Sequence, residues 1–213
     1  MRPSALLILC LFNQNIAAAE HIMLGEFSKV RLDSWESKAF KDQTDYQIVS
    51  DAGTKVLQAV SKASASGLYK KQQIDLSKTP FLNWRWKVAN VLTGINEQTK
   101  AGDDYAARIY VLLDGGLRFW QTKSINYVWA GNTPKQKRWP NAYAGSALQM
   151  LALRSKVDKL NTWYSEKRNV REDFKKFLGL DIRTIDALAL MTDTDNSGQA
   201  ATAFYGDVYF SAD

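Results

Sequence analysis

The sequence predicts an all-β protein, a jelly-roll-like β-sandwich of mainly antiparallel strands with one short docked helix near residues 170–178. Three observations carry this expectation. Apolar and polar side chains alternate with a period of two along many short runs. The runs recur at roughly 8–12-residue spacing between turn residues, the pattern of sandwiches and barrels. Asp114-Gly115-Gly116 is a hairpin signal between two of them.

Taken in order, strands are expected at 29–35, 46–50, 55–59, 68–74, 81–89, 105–113, 117–129, 147–154, 162–167, 185–192 and 201–210. In the run 81–89, Leu82, Trp84, Trp86 and Val88 share one face, and Asn83, Arg85 and Lys87 the other. Both faces of 185–192 are apolar, which suits a strand buried on both sides. For 201–210 the period of two puts Thr202, Phe204, Val208 and Phe210 together, opposite Ala203, Tyr205, Asp207 and Tyr209. The helix has a full set of signals: Asn169 to cap it, Glu172 in capping-box position, an apolar stripe of Phe174, Phe177 and Leu178, and Gly179 to end it. A helix this short does not hold alone in water, so it must dock on the sheets.

Residues 1–19 read as a secretory signal. Arg2 gives the positive start, residues 5–12 the apolar run, and Ala17, Ala18 and Ala19 the small residues before cleavage. The run is too short to span a bilayer, which takes about 20 residues as a helix. Residues 20–213 then form a single domain, expected in the periplasm or outside a Gram-negative cell, with no transmembrane segment after cleavage. Cys10 leaves with the signal, so the mature domain has no disulfide. The net charge of +6 falls by one with Arg2, and the basic residues are scattered, so no nucleic-acid partner is expected.

Elimination narrows the chemistry. The mature chain holds one histidine, His21, and no cysteine, which argues against a Ser-His-Asp triad, a cysteine nucleophile and a histidine-rich zinc site. No phosphate-binding glycine loop or dinucleotide fingerprint is present. Two long connections, 90–103 and 130–146, exceed the usual loop length and fall at the same end of an alternating sandwich. The second, with Trp139, Tyr143 and several cations, makes a plausible binding rim. The candidate ligand residues are Asp103, Asp104, Arg108, Trp129, Trp139, Asp193, Asp195 and Tyr205: aromatics to stack on a sugar ring, arginine to hold an acidic group, carboxylates to accept hydroxyls. Asp193, Asp195 and Ser197 begin like a calcium loop, but Phe204 stands where the twelfth-position glutamate belongs. Calcium is therefore an option and no cofactor is required. Arg168 and Arg171 at the helix start could bind an anion or brace Asp193 and Asp195.

Several blocks carry a family resemblance: residues 83–88 (NWRWKV), 101–110 (AGDDYAARIY), 139–141 (WPN), 165–174 (SEKRNVREDF) and 191–196 (MTDTDN), with Tyr205-Gly206-Asp207 near the end. Together the chain resembles the bacterial secreted family catalogued as domain of unknown function 3047. That resemblance implies an exported single domain and brings no activity. The strand pattern is also similar to jelly-roll carbohydrate-binding modules. The expectation is thus a protein that binds a glycan or another envelope polymer, against a polysaccharide hydrolase or lyase and a purely structural envelope protein.

Overall fold

Alternation in β6 (Phe81–Val88) sets the layering. Leu82, Trp84, Trp86 and Val88 are buried, while Phe81, Asn83 and Arg85 are half-buried on the other side. The computed structural model describes residues 21–114 and 122–213. Its strands form two seven-stranded sheets. The first runs β1 (His21–Gly25), β14 (Val208–Ser211), β6, β13 (Ala200–Tyr205), β4 (Thr54–Lys62) and β3 (Asp45–Asp51), with β11 (Tyr164–Asn169) on the free edge of β6. The second runs β2 (Glu36–Lys41), β5 (Ala65–Asp75), β12 (Thr184–Asp193), β7 (Tyr105–Leu113), β8 (Lys123–Trp129), β10 (Gly145–Arg154) and β9 (Arg138–Asn141). Among the described residues β8–β10 is the parallel pair, and all other ladders are antiparallel. The protein is an all-β sandwich.

Aromatic rings fill the space between the sheets. Trp86 meets Trp84 edge-on at 5.5 Å and Trp129 at 5.9 Å, and Trp84 stacks on Tyr127 at 5.4 Å. Helix α1 (Val170–Leu178) docks through Val170 and Phe174, both fully buried. Its cap matches the expectation: the Asn169 side chain accepts from the Glu172 N–H at 3.1 Å, and Gly179 follows in the left-handed region at φ 70°. Among the described residues no helix is long and apolar enough to cross a membrane.

Several expected elements move. Residues 29–35 are not a strand: a 3-10 turn, Phe27–Lys29, precedes irregular backbone, and β2 begins at Glu36. Strands β1, β2 and β9 were not expected. The signal region and most of the hairpin Asp114-Gly115-Gly116 lie outside the described residues, as does the start expected for 117–129; β8 begins at Lys123. The expected strand 201–210 is broken at Gly206 and Asp207. Tyr205 opposes Trp86 and Tyr209 opposes Asn83, so this chain spends one residue more than β6 over the same stretch. That bulge reverses the face read from the alternation. Ala201, Ala203, Tyr205, Val208 and Phe210 all turn inward, and Phe204 and Tyr209 lie on the outer face.

Candidate functional site

Three segments meet at one end of the sandwich: 90–104, 130–146 and 193–198. The two long loops do share that end, and Glu97 joins them. Its buried carboxylate accepts from the backbone N–H groups of Gly131, Asn132 at 3.2 Å and Thr133 at 2.9 Å. Gly131 must be glycine, because a Cβ there would stand 2.2 Å from the Leu92 carbonyl oxygen. Beneath the loops Asp103 accepts from Asn141 Nδ2 at 3.2 Å, and Asp104 accepts from the N–H groups of Asn196 and Ser197 at 3.2 and 2.6 Å.

Arg108 lies at the centre of this assembly on β7. Ala107 and Ile109 point into the core, so Arg108 points to the other side of the sheet. Its Nη2 meets Asp193 Oδ2 at 2.5 Å, and Asp103 is 3.9 Å from Nη1. The rings of Tyr105 and Tyr110 flank the guanidinium at 5.1 and 5.2 Å. Among the described residues its Nε and Nη1 have no hydrogen-bond acceptor. Burial alone would lower the arginine's pKa, but Asp193, Tyr110 and Asp103 outweigh it and hold the cation charged. Burial pushes the Asp193 carboxyl well up, against the pull of Arg108, and the acids Asp104, Asp103 and Asp195 add to the rise. Asp103 is also raised, by burial first. A folded-state value raised in this way costs stability as pH climbs from the unfolded value towards it.

The candidate residues do come together in part, but not as an open surface. Asp104, Trp129 and Tyr205 are 0 % exposed, and Asp103, Arg108, Trp139 and Asp193 at most 5 %. Trp129 belongs to the core, edge-on to Trp86 and Tyr164. Trp139 lies over Tyr105 at 6.4 Å and seals the loop. Neither can stack on a sugar ring. The Tyr205 hydroxyl donates to the Met191 carbonyl at 2.8 Å inside the sandwich. The expected rim is therefore a sealed charge cluster, with Asp195 and Ser197 half-buried and Tyr143 exposed at its edge. Arg168 pairs with Asp173 and Arg171 with Asp181 at 2.7 Å, so neither braces Asp193 or Asp195.

Asp104, Asp193 and Asp195 each place one carboxylate oxygen within 4.8 Å of the other two. Oxygen donors alone suit calcium. Ser197 takes a different part: its N–H donates to Asp104 and its hydroxyl oxygen accepts from Gln199 N–H at 3.4 Å. The oxygens of Asp104 and Asp193 already accept from N–H donors and Arg108, so an ion would compete with contacts already made.

An open surface lies elsewhere, on the outer face of the first sheet. A depression of about 470 Å³ is lined by Asn83 and Arg85 of β6, Ser165 and Lys167 of β11, Asp207 and Tyr209. Its size is that of a small-ligand site. Pairing explains the convergence: Lys167 and Tyr209 both stand opposite Asn83, and Ser165 opposite Arg85. Beside it, Trp163 stacks under the Arg85 guanidinium at 4.6 Å and donates from Nε1 to Asp51 at 2.7 Å. Lys87 also bonds Asp51 at 2.7 Å and reaches over Phe204 at 4.4 Å. The shared face of Asn83, Arg85 and Lys87 was visible as alternation. That Tyr209 joins it was hidden by the bulge.

Fold and surface together define a β-sandwich with an outer sheet face rich in aromatic and polar groups. Residues 33–209 match the family model described as "Protein of unknown function (DUF3047)", and the chain belongs to that family. No curated protein matches it. Among solved structures it is similar to a Cel12A cellulase derived from Rhodothermus marinus, at 8% identity over 90% of this chain and 100% of that one, TM-score 0.50. It is also similar to the family 11 carbohydrate-binding module of the cellulase Lic26A-Cel5E of Clostridium thermocellum, at 12% identity over 92% and 97%, TM-score 0.49. At such identities the likeness extends to the fold alone.

Proposed function

We propose that the protein is an exported glycan-binding module, acting in the periplasm or outside the cell, and that its ligand lies across the outer face of the first sheet. The depression there carries the reading. It offers the ring of Tyr209 beside polar groups at Asn83, Ser165 and Lys167, with Trp163 next to it under Arg85, the combination of CH–π packing and directed hydrogen bonds that sugars need. Hydrolysis and lysis are second to binding because the acids at this surface are engaged. Both Asp207 oxygens accept from Ser28, at 2.8 and 2.5 Å, and Glu166 accepts from Trp86 Nε1 at 3.1 Å and Arg154 Nε at 2.6 Å. A purely structural role is the remaining reading, and it predicts no binding at all.

Affinity electrophoresis of the mature protein through a panel of soluble plant and bacterial polysaccharides tests this. At least one polymer is expected to retard the wild type. Tyr209→Ala is expected to weaken that binding about tenfold, the scale of one lost stacking contact, while Tyr143→Ala at the sealed end leaves it unchanged. Retardation by none of the polymers, or equal loss in both variants, sinks the proposal.

We propose further that no cofactor is needed. Arg108 and the backbone N–H groups already answer the acids of the buried cluster, so a chelator is expected to shift Tm by no more than about 2 °C, roughly 0.5–1 kcal/mol. A fall of several degrees that calcium restores would instead make Asp104, Asp193 and Asp195 a metal site.

A further inference from the structure

We infer that the ligand of this outer face is anionic, a saccharide bearing carboxylate or phosphate groups; the inference rests on the glycan reading above and names its class. Charge accounting at the depression carries it. Lys55, Arg85 and Lys167 all line it. Among the described residues none of the three forms an ion pair or a side-chain hydrogen bond, although Lys87 on the same face is answered by Asp51.

The contrast is local. Arg108, Arg154, Arg168 and Arg171 each meet a carboxylate. Arg85 instead lies over the Trp163 ring at 4.6 Å, and Lys167 over Phe81 at 4.7 Å. Of the two acids that line the depression, Asp207 has both oxygens held by Ser28, and Glu166 stands opposite the buried Trp84 with its Oε1 held by Trp86 and Arg154. Three cations with unspent donors surround a hollow whose two acids already hold other donors.

Arg85 is also pre-placed. Its side chain crosses Gly206 at the bulge, where a Cβ would come within 2.5 Å of Arg85 Cγ and 2.6 Å of its Nε. Backbone shape thus leaves room for the arginine, and the Trp163 ring supports it from one side. A guanidinium fixed in this way loses little freedom when it takes a carboxylate or phosphate in a forked pair. Lys55 and Lys167 add longer-range attraction, which salt screens.

The test is calorimetric titration of the mature protein with four probes: polygalacturonate, its fully methyl-esterified form, phosphomannan and a neutral β-glucan. Binding is expected for polygalacturonate, phosphomannan or both, and at least about tenfold weaker for the ester and the glucan. Which acidic polymer binds separates the carboxylate source from the phosphate source. Affinity is expected to fall between low and high salt. Arg85→Met and Lys167→Met are each expected to weaken binding about tenfold, with Tm checked to show that each variant folds. Equal affinity for acidic and neutral polymers, or acidic binding untouched by both substitutions, overturns the inference and leaves the glycan reading standing. No binding to any of the four, with none in the wider panel, retires the glycan reading itself.

Discussion

Replacing Arg108 with methionine is expected to destabilise the protein by about 3–5 kcal/mol, because it removes one partner of a buried ion pair and leaves carboxylates with no cation beside them. In a chain of this length that lowers Tm by roughly 6–20 °C, read from thermal unfolding at neutral pH. The effect has a specific source. Asp103, Asp104 and Asp193 are all buried, and among the described residues only Arg108 of their partners is charged. The arginine does not fit its site fully, since among the described residues Nε and Nη1 lack acceptors, and that shortfall already subtracts from what the pair contributes. Neutralising the partner as well, in Arg108→Met with Asp193→Asn, is expected to recover part of the loss, because fewer charges are then stranded. A change below about 1 kcal/mol in the single variant would show that the carboxyls shed their charge by taking up protons. Arg108 would then not be what holds that end of the sandwich together.

Much of the architecture was legible because it is local. The run 185–192 reads as a strand and β12 covers it, although Asp186, Ala187 and Ala189 are half-buried where burial on both sides was expected, and the helix signals at Asn169 and Gly179 fix a helix whose ends agree with them. The missed strands lack the alternation that such reading uses. Every residue of β2 is exposed, and β9 holds Pro140, which is tolerated on an edge strand but argues against a strand in sequence. The site was harder to read for two physical reasons. A bulge of one residue changes the face of everything beyond it, so Tyr209 could not be placed with Asn83 and Arg85 without knowing where Gly206 bends the chain. Burial by a loop is set by long-range contacts such as Glu97 on residues 131–133, and no spacing rule encodes it. The convergence of Asp103, Arg108 and Asp193 followed from the topology; whether water reaches them did not.

Replacing Glu97 with alanine is expected to cost about 2–5 kcal/mol, nearly all of it local to the two long loops. The carboxylate accepts from three backbone N–H groups, and two of their residues, Gly131 and Thr133, are buried. Each buried donor left without an acceptor costs about 1–3 kcal/mol, whereas Asn132 is exposed and can turn to water. Glu97→Gln keeps one acceptor oxygen and is expected to lose about half as much. Hydrogen exchange separates a local effect from a global one: the amides of Gly131 and Thr133 should lose protection by far more than those of β12. Proteolysis near Lys135 and Lys137 should quicken in step, as the loop opens before the sheets do. Polysaccharide binding should not change, because the depression lies on the first sheet and Glu97 tethers loops leaving β6 and β8 at the sandwich's end. Uniform loss of protection across β12 would mean that loops and sheets unfold together, and the sealed end would then be part of the core rather than a cap upon it.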